Sequence, residues 1–125
     1  MAPSIPDRVR QFLAVNMTNV AQLELLLHVR SAPDRWWTPE EVAVPLTTRP
    51  VVAARDFAHL HERGLVERAE DQPPRYRYGP GELASTVDEV ADVHGRRRSA
   101  VVDAIFAEPH DTVTSLADAF RLRRG

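Results

Sequence analysis

The chain has 125 residues, of which 43% are hydrophobic and 27% are charged. This length and composition are typical of one globular domain with its own core, and they exclude a disordered chain. The absence of cysteine excludes a disulfide framework and a thiolate metal site. The net charge of −2 is far from that of a strongly basic nucleic-acid-binding domain.

The sequence contains no feature that supports a membrane protein or an enzyme. No run of apolar residues approaches the roughly 18 that a membrane-spanning helix needs, and residues 1–10 lack the apolar core of a secretory signal. The motifs of P-loop, dinucleotide-binding, α/β-hydrolase and zinc-protease sites are also missing. We therefore expect a cytoplasmic protein that is not an enzyme, with no membrane partner, no cofactor and no metal.

Two helices are predicted at the start of the chain. Residues 6–16 predict the first, and residues 18–30 predict the second, with Thr18 as its N-cap. Apolar residues recur at helical spacing in both segments. They are Val9, Phe12 and Leu13 in the first helix, and Val20, Leu23, Leu25, Leu26, Leu27 and Val29 in the second.

A capping box follows the paired tryptophans, which we assign to a short strand. Thr38 is suited to the N-cap, Pro39 to the first helical position, and Glu41 stands three residues after the cap. This pattern predicts a short helix from Pro39 to about Leu46.

The next helix is predicted over residues 49–63, with Thr47 or Thr48 as its cap. Proline at position 50 is compatible only with the first turn of that helix. Gly64 then supplies the left-handed residue that ends it.

A β-hairpin is predicted directly after this helix. Residues 65–70 form its first strand, and residues 75–78 form its second strand beyond a turn with two prolines. Tyr76 and Tyr78 alternate with arginines, and we expect both tyrosines to lie in the core.

Two short helices joined by a tight turn and followed by a two-stranded hairpin form the winged helix-turn-helix plan. The segments that carry it are Trp37-Thr38-Pro39-Glu40-Glu41-Val42-Ala43, Leu60-His61-Glu62-Arg63-Gly64-Leu65-Val66-Glu67-Arg68 and Arg75-Tyr76-Arg77-Tyr78. On these segments the chain resembles MarR-like and related small bacterial winged-helix regulators. The resemblance implies a mainly α fold with a small antiparallel β wing, and double-stranded DNA as the partner of a homodimer.

Helical periodicity separates two faces of the helix over residues 49–63. Ala53, Phe57 and Leu60 share the face expected to pack on the preceding helices. A recognition helix reads base edges with its N-terminal half, so Arg55 is the best candidate to pair with guanine. The residues expected to contact DNA are Thr48, Arg49, Val51, Val52, Arg55 and His59 from the helix, and Arg68, Arg75 and Arg77 from the wing.

An alternative function is a winged-helix module that binds protein rather than DNA. Exposed valines, together with Asp56 and Glu62, would weaken DNA binding by the helix over residues 49–63. In the wing, the carboxylates of Glu67, Glu70 and Asp71 can offset the arginines and leave only a solvated hairpin face.

A long helix is predicted over residues 82–108, which contain no proline. At about 1.5 Å per residue it would measure about 40 Å, so we divide the chain into a winged-helix domain, 1–79, and a dimerisation region, 80–125. The alternative is a helix that is split at Gly95 and folds back on its own domain. The predicted dimer seam is Leu83, Val87, Val90, His94, Arg97, Val101 and Ile105.

Two further expectations concern the C-terminus and the aromatic residues. Residues 113–123 predict a last short helix. Trp36 and Trp37, with Phe12 or Phe106, could line a cavity for a small effector, but core residues at the base of the wing are the favoured interpretation.

Overall fold

The computed structural model describes residues 5–106. Their contacts form two units, one of residues 20–88 and one of residues 5–19 together with 89–106. This division differs from the predicted boundary after residue 79, because the first helix groups with the C-terminal residues. The predicted helix over residues 113–123 lies outside the described residues.

The described residues form α-helices, one 3-10 turn and a two-stranded antiparallel sheet. The elements are α1 (Asp7–Asn16), α2 (Val20–Arg30), α3 (Pro39–Ala43), α4 (Pro50–Glu62), β1 (Val66–Ala69), β2 (Arg75–Tyr78), the 3-10 turn Gly81–Leu83, α5 (Ala84–Arg96) and α6 (Arg98–Phe106). Within residues 5–106 no single helix is long and apolar enough to cross a membrane, although α1 and α2 taken together meet the same test of length and composition.

Helix α2 supplies much of the core of the unit 20–88. It begins at Val20, two residues after the predicted cap at Thr18. Leu23, Leu26 and Val29 are fully buried, as their helical spacing predicts. Packing of these apolar residues therefore supplies most of the stability of the helix.

The capping box of α3 is confirmed. The Thr38 hydroxyl accepts a hydrogen bond from the Glu41 backbone N–H at 3.1 Å, and the Glu41 carboxylate accepts one from the Thr38 N–H at 2.9 Å. The helix ends at Ala43, three residues before the predicted end. Pro45 explains the early end, because it has no N–H to continue the helical hydrogen bonds.

The predicted cap of α4 at Thr47 or Thr48 is wrong, because Arg49 occupies the N-cap. Pro50 takes the first helical position, where its fixed φ is favourable. A residue before proline is driven to extended backbone, and Arg49 has φ −101° and ψ 148°. Gly64, at φ +76°, ends the helix region in the left-handed conformation, as predicted.

The wing is a hairpin in which Val66 pairs with Tyr78 and Ala69 with Arg75. The strand predicted at the tryptophans is only a single bridge, in which Trp37 and Tyr76 exchange two backbone hydrogen bonds of 2.8 Å.

The base of the wing packs against α4 through an aromatic pair. Tyr76 is buried, and its ring stacks on the ring of Phe57 with centroids 4.4 Å apart. The predicted core position of Tyr76 is confirmed, whereas Tyr78 is only half-buried. The pair fixes one strand of the hairpin relative to the packed face of α4.

The single long helix predicted over residues 82–108 is wrong. A 3-10 turn precedes α5, and Arg97 interrupts the helix between α5 and α6. Gly95 lowers helix stability by about 1 kcal/mol relative to alanine, and three consecutive arginines follow it. The break at Arg97 therefore falls two residues after Gly95, where the alternative interpretation splits the helix.

The predicted coiled-coil seam is also not a continuous exposed stripe. Val87, Val90, Val101 and Ile105 are at most 7% exposed within the single chain. Among the other seam residues, Leu83 and His94 are half-buried and Arg97 is exposed. Most of the apolar residues of the predicted seam are therefore already covered within the single chain.

Candidate nucleic-acid interface

Helix α4 has one packed face and one exposed face. Ala53, Phe57 and Leu60 are at most 2% exposed, which confirms the predicted inner face. On the other side, Val51 is 62% exposed and the Arg55 side chain is 71% exposed. The N-terminal half of α4 therefore presents both an arginine and an apolar side chain to solvent.

The two arginines at this end of α4 have few internal contacts. Arg49, at the N-cap, makes no ion pair or side-chain hydrogen bond with any of residues 5–106. The Arg55 Nε atom lies 4.0 Å from the Asp56 Oδ1 atom, which is too far for a hydrogen bond. Both guanidinium groups are available to an anionic partner.

Three other predicted helix contacts are less accessible. Thr48, Val52 and His59 are half-buried, and the Thr48 N–H donates to the Ala43 carbonyl at 3.0 Å. Of the predicted helix contacts, the exposed set is therefore Arg49, Val51 and Arg55, whereas the other three are partly covered.

Each predicted wing arginine is paired with a carboxylate of the wing itself. The closest N–O distances are 3.1 Å for Arg68–Glu70, 2.8 Å for Arg75–Asp71 and 2.6 Å for Arg77–Glu67. Exposed pairs of this kind contribute about 0–1 kcal/mol. The arginines can therefore exchange their carboxylates for phosphates at small cost, but the wing as it stands has no excess positive charge.

The tryptophans lie beside the wing and under arginine side chains. Trp37 is 6% exposed, its ring centroid is 4.9 Å from that of His28, and the Arg35 guanidinium lies 3.7 Å from its ring centroid. The Arg77 guanidinium lies 4.5 Å from the ring centroid of Trp36. Trp37 therefore belongs to the core at the base of the wing, which is the favoured interpretation of the sequence.

Sequence reasoning missed the burial of Asp56. The residue is 3% exposed, although the prediction treated it as part of the polar face of α4. Burial raises the pKa of the Asp56 carboxyl above its ordinary value of 3.8, while Arg55, a hydrogen bond from Gln22 and His59 oppose the rise. The signal was present in the spacing, because position 56 lies three residues after Ala53 and four before Leu60.

An exposed apolar residue near α3 was also missed. Val44, the residue directly after the end of α3 at Ala43, is 80% exposed. With Val51 it adds apolar surface to the turn between α3 and α4.

The fold and this exposed helix define a winged-helix protein. No family model matches the chain, and no curated protein matches it. A similar solved structure is wild-type MarR in its apo form from E. coli, with a TM-score of 0.53 and 19% identity over 92% of this chain and 80% of that chain. The chain therefore has the MarR type of winged-helix fold, mainly α with a small antiparallel wing.

Proposed function

We propose that this protein is a dimeric cytoplasmic transcriptional regulator that binds double-stranded DNA through α4 and the wing. The observation that carries the proposal is the exposed set of Arg49, Val51 and Arg55 at the N-terminal half of α4. In a winged-helix fold this half of the helix is the part that reads the major groove. The role is binding rather than catalysis.

Each exposed side chain has a DNA group to which its chemistry is suited. The guanidinium of Arg55 can donate two hydrogen bonds to a guanine, and Val51 can contact a thymine methyl group. Arg49 stands where the helix dipole also favours a phosphate. In the wing, Arg68, Arg75 and Arg77 bind phosphates after releasing their carboxylate partners.

Two copies of the chain would suit a palindromic site. The predicted seam supplies few free apolar side chains, so we place the contact between copies on α1 and α6 instead. Val15 of α1 and Phe106 of α6 are 57% and 61% exposed, and large exposed apolar residues favour an interface.

A protein-binding module is the second candidate function. Two observations favour it. The wing arginines are already paired with carboxylates, and Val44, after α3, and Val51, in α4, are exposed apolar residues. Such a surface suits a partner of low charge.

A binding assay separates the two candidates. The full chain is titrated against the DNA upstream of its own gene and against a scrambled sequence at about 50 mM salt, where phosphate contacts are strongest. A regulator should bind the upstream DNA more tightly than the scrambled DNA. Absence of binding to either DNA under these conditions would contradict the proposal and favour the protein-binding module.

A further inference from the structure

Arg77 has the shortest ion pair of the three wing arginines, with an N–O distance of 2.6 Å against 2.8 Å and 3.1 Å for the other two. Its Nε and Nη2 atoms both donate to the Glu67 Oε1 atom, at 3.2 Å and 2.6 Å. The two residues are direct partners in the register of β1 and β2, so their side chains leave the same face of the hairpin.

A second contact holds the Arg77 guanidinium against the protein. The group lies 4.5 Å from the ring centroid of Trp36, a distance at which the aromatic face attracts a cation. Arg77 is therefore held by a carboxylate and by an indole ring together. Both contacts must weaken before the guanidinium can turn to another partner.

Gly79, directly after the wing, leaves space for the Glu67 side chain. A Cβ atom built on Gly79 would lie 2.7 Å from the Glu67 Cγ atom, well inside the roughly 3.5–4.0 Å of an ordinary carbon–carbon contact. Any larger residue at position 79 would force Glu67 to shift. The position of Glu67 beside Arg77 therefore depends on the absence of a side chain at this point.

The pairing also cancels the charge of the wing. Residues 66–78 contain three arginines and three carboxylates. The Arg77 side chain is 34% exposed and that of Glu67 is 50% exposed, so a phosphate can approach the pair from solvent. The phosphate is attracted by the guanidinium, but the neighbouring carboxylate repels it. Binding of Arg77 to the phosphate therefore neutralises no net charge while Glu67 stays beside it.

We propose that Glu67 is an autoinhibitory residue of the wing, which competes with DNA phosphate for the Arg77 guanidinium and so lowers the affinity of the protein for DNA. The role of Glu67 rests on the proposed binding of DNA by α4 and the wing. An exposed ion pair is weak, so Glu67 reduces the affinity moderately and does not block binding.

The test measures the affinity of the full chain for the DNA upstream of its own gene, by fluorescence anisotropy between about 50 and 200 mM salt. The slope of log affinity against log salt concentration reports the number of phosphates neutralised, at about 0.9 per phosphate. Glu67→Gln keeps the length of the side chain and removes its charge. It should raise the affinity about twofold to fivefold at low salt and steepen the slope by about 0.9, because Arg77 then neutralises one more phosphate.

Asp92→Asn is the matched control. The Asp92 carboxylate accepts a hydrogen bond from the Arg96 Nη2 atom at 2.6 Å, the same N–O distance as in the wing pair, and α5 is not part of the proposed DNA-binding surface. The variant removes the same charge and releases an arginine in the same way, so its slope should equal that of the parent. Equal steepening in Asp92→Asn and Glu67→Gln would overturn the role of Glu67, because net charge alone would explain both.

An Arg77→Gln background tests whether Glu67 acts through Arg77. In that background Glu67→Gln should leave the slope unchanged, and the same steepening as in the parent background would overturn the role of Glu67. A parent that binds DNA with the same slope as Glu67→Gln would overturn this role alone and leave the proposed function standing. A parent that binds no DNA at about 50 mM salt would overturn the proposed function and the role of Glu67 together.

Discussion

Arg55 and Asp56 are adjacent residues with opposite environments. The Arg55 side chain is 71% exposed, whereas that of Asp56 is 4% exposed, because a helix turns by about 100° from one residue to the next. Substitutions at the two positions therefore test different properties. A change at Arg55 tests binding to a partner, and a change at Asp56 tests folding stability.

Arg55→Ala should weaken binding to the preferred DNA by roughly tenfold to a hundredfold, since a bidentate arginine–guanine pair contributes about 1–3 kcal/mol of discrimination. Binding to scrambled DNA should change far less. Fluorescence anisotropy with labelled duplexes measures both affinities, and thermal unfolding checks that stability is unchanged.

Arg10→Ala is the matched control for this loss of charge. Arg10 is an exposed arginine of α1 whose partner is Asp7 at 3.0 Å, and its removal should leave sequence discrimination intact. Equal losses on both DNAs in Arg55→Ala would mean that Arg55 contacts phosphate rather than a base.

Asp56 should make the stability of the protein fall as pH rises. Its pKa is raised in the folded state by burial, against the opposing effects of Arg55, Gln22 and His59. The folded chain therefore binds this proton more tightly than the unfolded chain. The stabilisation is complete below the ordinary pKa of 3.8 and is lost as pH rises through the folded pKa.

Urea unfolding of the parent and of Asp56→Asn between about pH 4 and pH 7 measures this effect. The parent should lose stability relative to the variant as pH increases. A constant difference between the two proteins would show that Asp56 does not titrate in this range.

At the scale of single elements, the sequence predicts best where one residue decides the local backbone. The capping box at Thr38, the left-handed Gly64 and strand β2 all occur where predicted. The errors arise where two local signals compete. Pro50 outweighs Thr47 and Thr48 as the determinant of the start of α4, and the helix breaks at Arg97 although the apolar pattern continues to Ile105.

Thr38→Ala should lower the free energy of unfolding by about 1 kcal/mol, because the first turn of α3 loses its side-chain acceptor. Urea denaturation measures the change. Thr38→Ser retains the hydroxyl and should remain close to the parent. A loss of equal size in the serine variant would point to packing of the threonine methyl group instead of capping.

Gly64→Ala should lower the free energy of unfolding by about 1 kcal/mol, because alanine is strained at positive φ. No atom lies within 4 Å of the added methyl position, so strain alone is tested. Gly95→Ala, inside helix α5 and equally unobstructed, is the control and should raise stability by about 1 kcal/mol. Effects of the same sign at both positions would contradict this account.

At the scale of the whole molecule, the order of elements and the mostly helical character are predictable from proline punctuation and apolar spacing. The small cleft lined by Glu24, Leu46 and Asp56 is not predictable, because it depends on how α2 and the turn before α4 meet. The candidate DNA-binding site is predictable in part. Periodicity identifies Arg55 and Val51 as exposed residues of α4. The carboxylate partners of the wing arginines depend on side-chain geometry, which sequence spacing does not determine.

Dimerisation makes a prediction at the same scale. Val15→Asp should shift the solution mass toward the monomer, because it places a charge in the proposed contact between copies. Sedimentation velocity measures the mass. Val51→Asp is the matched control, since Val51 has a similar exposure of 62%, and it should weaken DNA binding without changing the mass.

A parent chain that is already monomeric, or a Val15→Asp variant with the parent's mass, would contradict a dimer contact at α1. A Val51→Asp variant that becomes monomeric would place the contact on α4 instead. DNA binding and self-association are thereby tested by two substitutions of the same kind.

The arrangement of Arg77 over Trp36 gives the protein an intrinsic optical reporter. Trp36 and Trp37 are the only tryptophans in the chain, and only Trp36 lies under an arginine of the wing. Whenever a polyanion draws Arg77 away, the emission of Trp36 changes, while buried Trp37 serves as an internal reference. Engagement of the wing can therefore be followed in unlabelled protein, and a Trp37→Phe variant would isolate the responding indole.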